Sequence, residues 1–431
     1  MGKGNKLFTI SLQRWHNLFR VRRTAIQQFI LVPKEKLCVF LVYIGLLVAM
    51  LGSLNPWFLW PVNDKFPLLS AAFLLPALFI AKGRKEDTVF TRKNLFLAFL
   101  VFVLYEFYVQ VVNDRNIFGY VVALFHMLIA YVLFKWDCRY YEPLMTVACK
   151  IMACMMCVSV PCFVLHLAGF PFPSSQAVFG ENLYSFTNYY FFMVDNRTLY
   201  EIIPRFSSIF LEPGHLGTAT IMLLLTQMGQ WKRWYNVVLW VTTLMTFSLA
   251  AYVFAVAMLI LNSWVQRRKI LAKLLAVVFV IVSIGVGATY YKDGDNMLYT
   301  LIMARLEIDE RTGEMAGNNR VTEGFEKEFD SYMSSSDVWF GREMPKNDSG
   351  NSGYRVFIYE NGICALLLVM LLYVLMYRGT RDTRAVVAAW CIVVLAFYVR
   401  GYPLWYSNLI PCMMAGYRIY KSDLRDTSLT T

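Results

Sequence analysis

RFSSIFLEPGHLG, residues Arg205 to Gly217, places an arginine, a carboxylate and an imidazole at the opening of an apolar span that runs to about residue 228. An ion in such a span costs a few kcal/mol unless it is paired or wetted, so Arg205, Glu212 and His215 mark a functional site by default. Pro213 pushes the residue before it out of the α region, which puts Glu212 at a kink or at the true start of a helix. Either geometry frees backbone N–H groups beside Glu212, and the positive helix end favours a negative charge there. A purely structural reading stands beside this one, in which Arg205 pairs with Glu212 and pins the helix mouth.

Outside this stretch the apolar spans carry almost no charge. The 431 residues are 58% hydrophobic and only 16% charged, with a mean hydropathy of +0.48. Uncharged runs near the length needed to cross ~30 Å of hydrocarbon recur throughout, which predicts an all-α polytopic membrane protein. The pI of about 9.2 does not indicate nucleic acid, because the basic residues follow topology. Of the 41 Lys and Arg, 27 lie in the two tails and five short loops on one side, where the net charge is +19. The long loop from Tyr290 to Arg355 holds 13 acids and 8 bases. Both termini are therefore expected in the cytoplasm, with the long loop outside.

Taken in order, residues 1–36 hold eight bases and one acid, with Phe8, Leu12, Trp15 and Phe19 at helical spacing, as in an amphipathic helix lying on an anionic membrane surface. The membrane domain, 37–289, opens with spans near 37–54, 66–81, 95–112, 117–134 and 145–170. Glu106 in the third span stands out as a second intramembrane carboxylate. An outer segment, 171–204, is rich in aromatics such as Tyr184, Tyr189 and Phe192, suited to the interfacial belt or to stacking on sugar rings. After the span of Glu212, the charge-free run Tyr235–Leu261 has basic flanks at both ends. A single crossing would violate the charge rule, so the run is expected to be a short helical hairpin turning at Thr246-Phe247-Ser248 near the level of Glu212.

A span at 270–289 leads into the outer loop, 290–355, with amphipathic stretches from Met297 and Val321; Val321, Phe325, Phe329 and Met333 recur every four residues. C-terminal spans follow over 356–419 and a tail over 420–431, for about 12 membrane segments in all. The nine cysteines suggest no disulfide framework, and Cys154-Met-Met-Cys157 lies among small residues as helix packing. No metal site and no cofactor motif is apparent; Asp293-Gly-Asp295-Asn296 lacks the closing glutamate of a calcium loop.

With this topology Arg205, Glu212, Arg355, Glu360 and Arg400 fall at the outer mouth, Glu106 a little deeper, and Arg305 and Arg320 reach the same place from the loop. Arginines suit phosphate oxygens, and a lone carboxylate suits a general base acting on a hydroxyl. RFSSIFLEPGHLG, TFSLAAY at Thr246 and the run NNRVTEGFEKEF…DVWFGREM…SGYRVFIYENGI together resemble the O-antigen and capsular polysaccharide polymerase family (Wzy-type) over the second half of the chain. The resemblance implies a metal-independent glycosyltransferase of a bacterial inner membrane, acting on undecaprenyl-diphosphate-linked oligosaccharide as donor and acceptor. It implies Arg205 and Arg320 at the diphosphate and Glu212 at the acidic position of the motif as catalytic residues; His215, one turn into the helix, is a further acid/base candidate beside a packing role. Arg305, Arg355, Tyr354, Arg400 and Tyr402 would bind the diphosphate or glycan. A chain-length regulator and a flippase are the implied partners, besides the lipid bilayer. The sister ligases typically carry an Asn-Pro-Asn-like stretch where this chain has Glu212-Pro213-Gly214, and an outer-loop histidine that this chain lacks. Polymerase is thus favoured over ligase, and a flippase or other transporter is the reading from a different class.

Overall fold

The computed structural model describes residues 34–82, 95–113, 117–136, 140–179, 184–196, 204–266, 270–296, 299, 303–308, 323–343, 353–377 and 383–413. The basic N-terminal stretch over 1–33, Arg320 and the C-terminal tail lie outside these residues. The apolar runs form helices close to the expected bounds: α1 (Lys34–Gly52), α2 (Phe66–Lys82), α3 (Phe96–Val112), α4 (Ile117–Lys135) and α5 (Tyr141–Leu167), then α6 (Pro213–Thr226), α7 (Trp234–Met245), α8 (Leu249–Val265) and α9 (Ile270–Tyr290). The outer loop contributes α10 (Glu323–Met333), and α11 (Gly353–Met376) and α12 (Thr383–Arg400) follow. A last helix begins at residue 406. Among the described residues, α1, α4, α5, α9, α11 and α12 are long and apolar enough to cross a membrane, and α2, α3 and α8 are shorter apolar helices. The chain is a multi-pass membrane protein by the length and composition of these helices.

Helix α6 is the centre of the bundle. Every residue from Gly214 to Thr226 is buried, as an apolar helix with no polar face must be. It packs on α5, α7, α8 and α12, while α3 packs on α4 and α11. The hairpin between α7 and α8 turns where expected, with Phe247 at φ 46°. Its turn meets α6 at Gly217, where a Cβ would lie 2.6 Å from Ala251 Cβ and 3.3 Å from Thr246 Oγ1. That contact is little more than one helical turn from Glu212.

Three expectations need correction. The chain is mostly helical but not all-α, because the outer segment folds as an antiparallel sheet of β1 (Ser175–Phe179), β2 (Tyr184–Asn188) and β3 (Met193–Asp195) in that order. Phe186 and Met193 turn inward onto Trp57, Trp60 and Leu211. Second, the span that opens at Arg205 is not helical throughout: of the two geometries expected at Glu212, the structure has the true helix start, with α6 beginning at Pro213. Residues 204–211 are non-helical, and Trp57 N–H donates to Ile209 O at 3.0 Å while Met193 N–H donates to Ser208 O at 2.9 Å. Partners outside the segment satisfy its backbone, as non-helical chain at membrane depth requires. Third, the inward stripe of α10 is Phe325, Phe329 and Tyr332, with Met333 exposed. A strict four-residue repeat drifts round a helix of 3.6 residues per turn, and the third turn presents Tyr332 instead.

Helix α11 is also broken, at Gly362 (φ 74°, ψ 174°). The outer-loop segment 339–341 tucks into the break, with Gly341 at φ 94° against the backbone of Glu360 and Asn361. Carbonyls around the break find donors: Tyr332 Oη to Ile358 O at 2.7 Å, Arg342 N to Tyr359 O at 2.7 Å and Tyr108 Oη to Asn361 O at 2.9 Å. Burial pushes the Tyr332 phenol up to about 12, so it stays a neutral donor at ordinary pH. The Asp337 carboxylate, 2.8 Å from Arg342 Nε, holds that guanidinium above its ordinary value. The outer loop is thereby fastened to the membrane bundle at one point.

At Gly362 a Cβ would overlap the carbonyl oxygen of Trp339, and the positive φ disfavours any L side chain. Gly362→Ala is expected to lower the apparent midpoint of thermal unfolding in detergent by several degrees, from strain of about 1–3 kcal/mol. An unchanged midpoint would show that the break tolerates a side chain.

Candidate functional site

Glu212 is the N-cap of α6, with extended backbone (φ −135°, ψ 143°) and Pro213 in the first helical position. Pro213 has no N–H to leave unsatisfied, and its fixed φ suits the first turn. His215 N–H and Leu216 N–H donate to Glu212 O at 3.1 and 3.2 Å. The carboxylate does not cap the helix; Oε2 instead accepts from Arg400 Nη1 at 2.6 Å and lies 3.8 Å from His215 Nε2. Arg400 is 7% exposed and Glu212 18%. The two charges occupy complementary helix ends, Glu212 at the positive start of α6 and Arg400 in the last turn of α12.

Glycines make this approach possible. A Cβ on Gly214 would fall on Arg400 Nη2, so only a glycine leaves room for the guanidinium at the first turn of α6. Beyond Arg400 the chain turns at Gly401 (φ 66°), where a Cβ would strike Gly353 O. The start of α11 and the end of α12 are therefore in backbone contact beside the ion pair. The turn carries Tyr402 and Trp405, whose rings stack at 4.4 Å and 8°, and His215 meets the edge of Trp405 at 4.7 Å.

Arg400, Tyr402 and Trp405 form one wall of a cavity of about 670 Å³ between α3, α4 and the start of α11. Its polar lining includes Glu106 and Gln110 from α3, His126 from α4, Glu343 from the outer loop and Glu360 from α11. His126 Nδ1 and Tyr406 Oη are 2.7 Å apart, with their rings stacked. Among the described residues, no group of three or more His, Cys, Asp or Glu is arranged to hold a metal ion.

Of the residues singled out in the sequence, Glu212, His215 and Arg400 converge, and Tyr402 joins them through Trp405. Arg400, 188 residues away, is a charge that answers Glu212 across the bundle. Arg205 is partly buried on the non-helical segment ahead of α6. Arg355 meets α10, 3.7 Å from Glu326 and 5.8 Å above the Phe329 ring. Tyr354 stacks on the exposed ring of Tyr398 at 5.1 Å. Arg305 is on a short helical turn, Ala304–Leu306, and its side chain, like Arg320, lies outside what is described.

Gln110, His126 and Glu343 were missed as cavity residues. One signal was available: Phe102, Glu106, Gln110 and Asn113 recur at helical spacing on one face of α3, and all four line the cavity. Protein-family models, curated proteins and solved structures give no match to the chain.

Removing one partner of a buried ion pair strands the other charge. Arg400→Met is expected to destabilise the protein by about 3 kcal/mol, read as a lower thermal midpoint in detergent. Adding Glu212→Leu should recover most of the loss. A single variant as stable as the parent protein would mean that the pair contributes nothing to the fold.

Proposed function

We propose that this chain is a polysaccharide polymerase, a membrane glycosyltransferase of the Wzy type acting on lipid-linked oligosaccharides at the outer face of a bacterial inner membrane. The observation that carries this reading is a carboxylate held at the start of a fully buried helix by a buried arginine, itself on the wall of a polar cavity among apolar helices. A hydroxyl of the incoming repeat unit attacks the anomeric carbon of the growing chain, and the bond from that carbon to the diphosphate oxygen breaks. Glu212, paired with Arg400, accepts the hydroxyl proton. The leaving diphosphate needs positive charge, which Arg205 and Arg320 would supply by the motif resemblance, with Arg305 as a further candidate.

Two other residues take supporting roles in this reading. Arg355 is engaged with Glu326 on α10, so it acts in this reading by holding the outer loop. His215, buried between Glu212 and Trp405, orients the carboxylate.

Glu212→Gln is expected to replace the glycan ladder by single lipid-linked repeat units, a loss of about 10²–10⁴ in rate, with the protein still inserted. The double variant Glu212→Gln/Arg400→Met buries no lone ion and should give the same result, which separates a lost base from a lost fold. A full ladder from both variants would overturn the role of Glu212. In a deletion strain, single repeat units support polymerisation. A normal ladder retained on the carrier lipid would instead mean a ligase, and absence of outward-facing glycan a transporter.

A further inference from the structure

The outer-loop turn that enters the break in α11 turns two large rings outward. Val338 packs inward on the cluster of Phe325, Tyr332 and Tyr359, while Trp339 and Phe340 are 51% and 59% exposed. Protein nevertheless answers the backbone of this turn. Phe340 N–H and Gly341 N–H donate to Asp337 O at 2.9 and 2.8 Å, and Arg342 N–H donates to Tyr359 O at 2.7 Å. The Tyr108 hydroxyl lies 3.3 Å from Trp339 O and 3.2 Å from Phe340 O. Irregular backbone is tolerated at membrane depth only where protein supplies such partners; in water the solvent would supply them.

Tyr108 fixes where the turn stands. Leu104, Phe107 and Val111 share its face of α3 at helical spacing, and all three are exposed and apolar. The residues of α3 that line the cavity, Glu106 and Gln110 among them, fall on the other face. The turn is therefore held against the lipid-facing side of the bundle. Its height follows from helix length. With 17 residues, α3 is about 25 Å long and falls short of the ~30 Å of hydrocarbon. A basic loop precedes it, which makes Val112 its outer end, and Tyr108 is about one turn below that end. Trp339 and Phe340 are thus carried to the outer border of the hydrocarbon. The charges flanking the turn are paired, with Arg342 Nε 2.8 Å from Asp337 Oδ2, which eases the approach to that border.

We propose that Trp339 and Phe340 are a membrane anchor of the outer loop: both rings enter the outer leaflet at the boundary of headgroups and acyl chains, and a phospholipid bilayer is the partner this surface fits. An indole suits that boundary, because its apolar body sits among the chains while its N–H stays near water. The loop then hangs from two supports, the break at Gly362 and the leaflet itself. The inference needs the multi-pass bundle and the outward placement of the loop, and is independent of the polymerase reading.

The test is tryptophan quenching on the full-length protein in phosphatidylcholine nanodiscs. One probe is phosphatidylcholine brominated high on its acyl chains, and the other is iodide in the water. The emission of Trp339 is read as the difference between the parent protein and Trp339→Phe, one indole of the 11 in the chain. That component is expected to lose roughly half of its intensity to the brominated lipid and little to iodide, as for an indole with one face among the acyl chains. The double variant Trp339→Phe/Phe340→Trp moves the indole by one position and should show the same pattern, which guards against a single variant that disturbs its neighbours. Quenching by iodide and not by lipid would put the turn in water and overturn the anchor. Shielding from both would mean that protein, such as a second copy of the chain, covers the two rings, and would overturn it equally. Neither outcome alters the glycan ladder expected of the Glu212 variants, so the anchor and the polymerase mechanism fail separately.

Discussion

The ion pair between Glu212 and Arg400 is the constraint around which the membrane domain is arranged. Two charges in an apolar bundle are tolerated only when each meets the other and both meet favourable dipoles. Here the start of α6 and the end of α12 point at one another, so the helix ends add to the attraction of the side chains. The requirement fixes more than two residues. Pro213 starts α6 at the right place, Gly214 leaves room for the guanidinium, and Gly353 and Gly401 let α11 and α12 meet backbone to backbone.

Around that pair, the irregular backbone is confined to places where the protein supplies its hydrogen bonds. The non-helical approach to Glu212 is held by Trp57 and Met193, and the break at Gly362 by Tyr108, Tyr332 and Arg342. Both irregularities lie next to the cavity or the ion pair. A continuous helix through either point would have brought no loop to the site, since helical backbone groups are already spent on one another. The break in α11 admits segment 339–341 of the outer loop, and Glu343 two residues later reaches the cavity wall. The lining of the cavity and the anchoring of the loop thus share one structural feature.

The helices were legible because lipid imposes a simple rule on composition, and the hairpin at Thr246 because charge at both of its flanks left one consistent path. The motif at Glu212 was legible for the complementary reason, that ions are rare in such spans. Other features gave no comparable signal. The strands around Phe186 are three to five residues long, so the alternation Tyr184-Ser185-Phe186-Thr187 is too brief to stand out in an aromatic-rich segment. Gly362 lies in a run, IYENGICALL, whose hydropathy reads as unbroken helix. Gln110 was visible only as one polar residue among apolar neighbours, without the cavity that gives it meaning.

Sequence by itself determined that this protein is a bundle of apolar helices with a charged site at one helix start, since hydropathy and the cost of a buried ion are local properties of the chain. Only the tertiary structure decided which charge answers Glu212, where α11 breaks, and that three carboxylates share a cavity with Gln110 and Tyr402. Those are pairings between residues up to hundreds of positions apart. They depend on the angles and distances at which helices pack, and no local pattern encodes them.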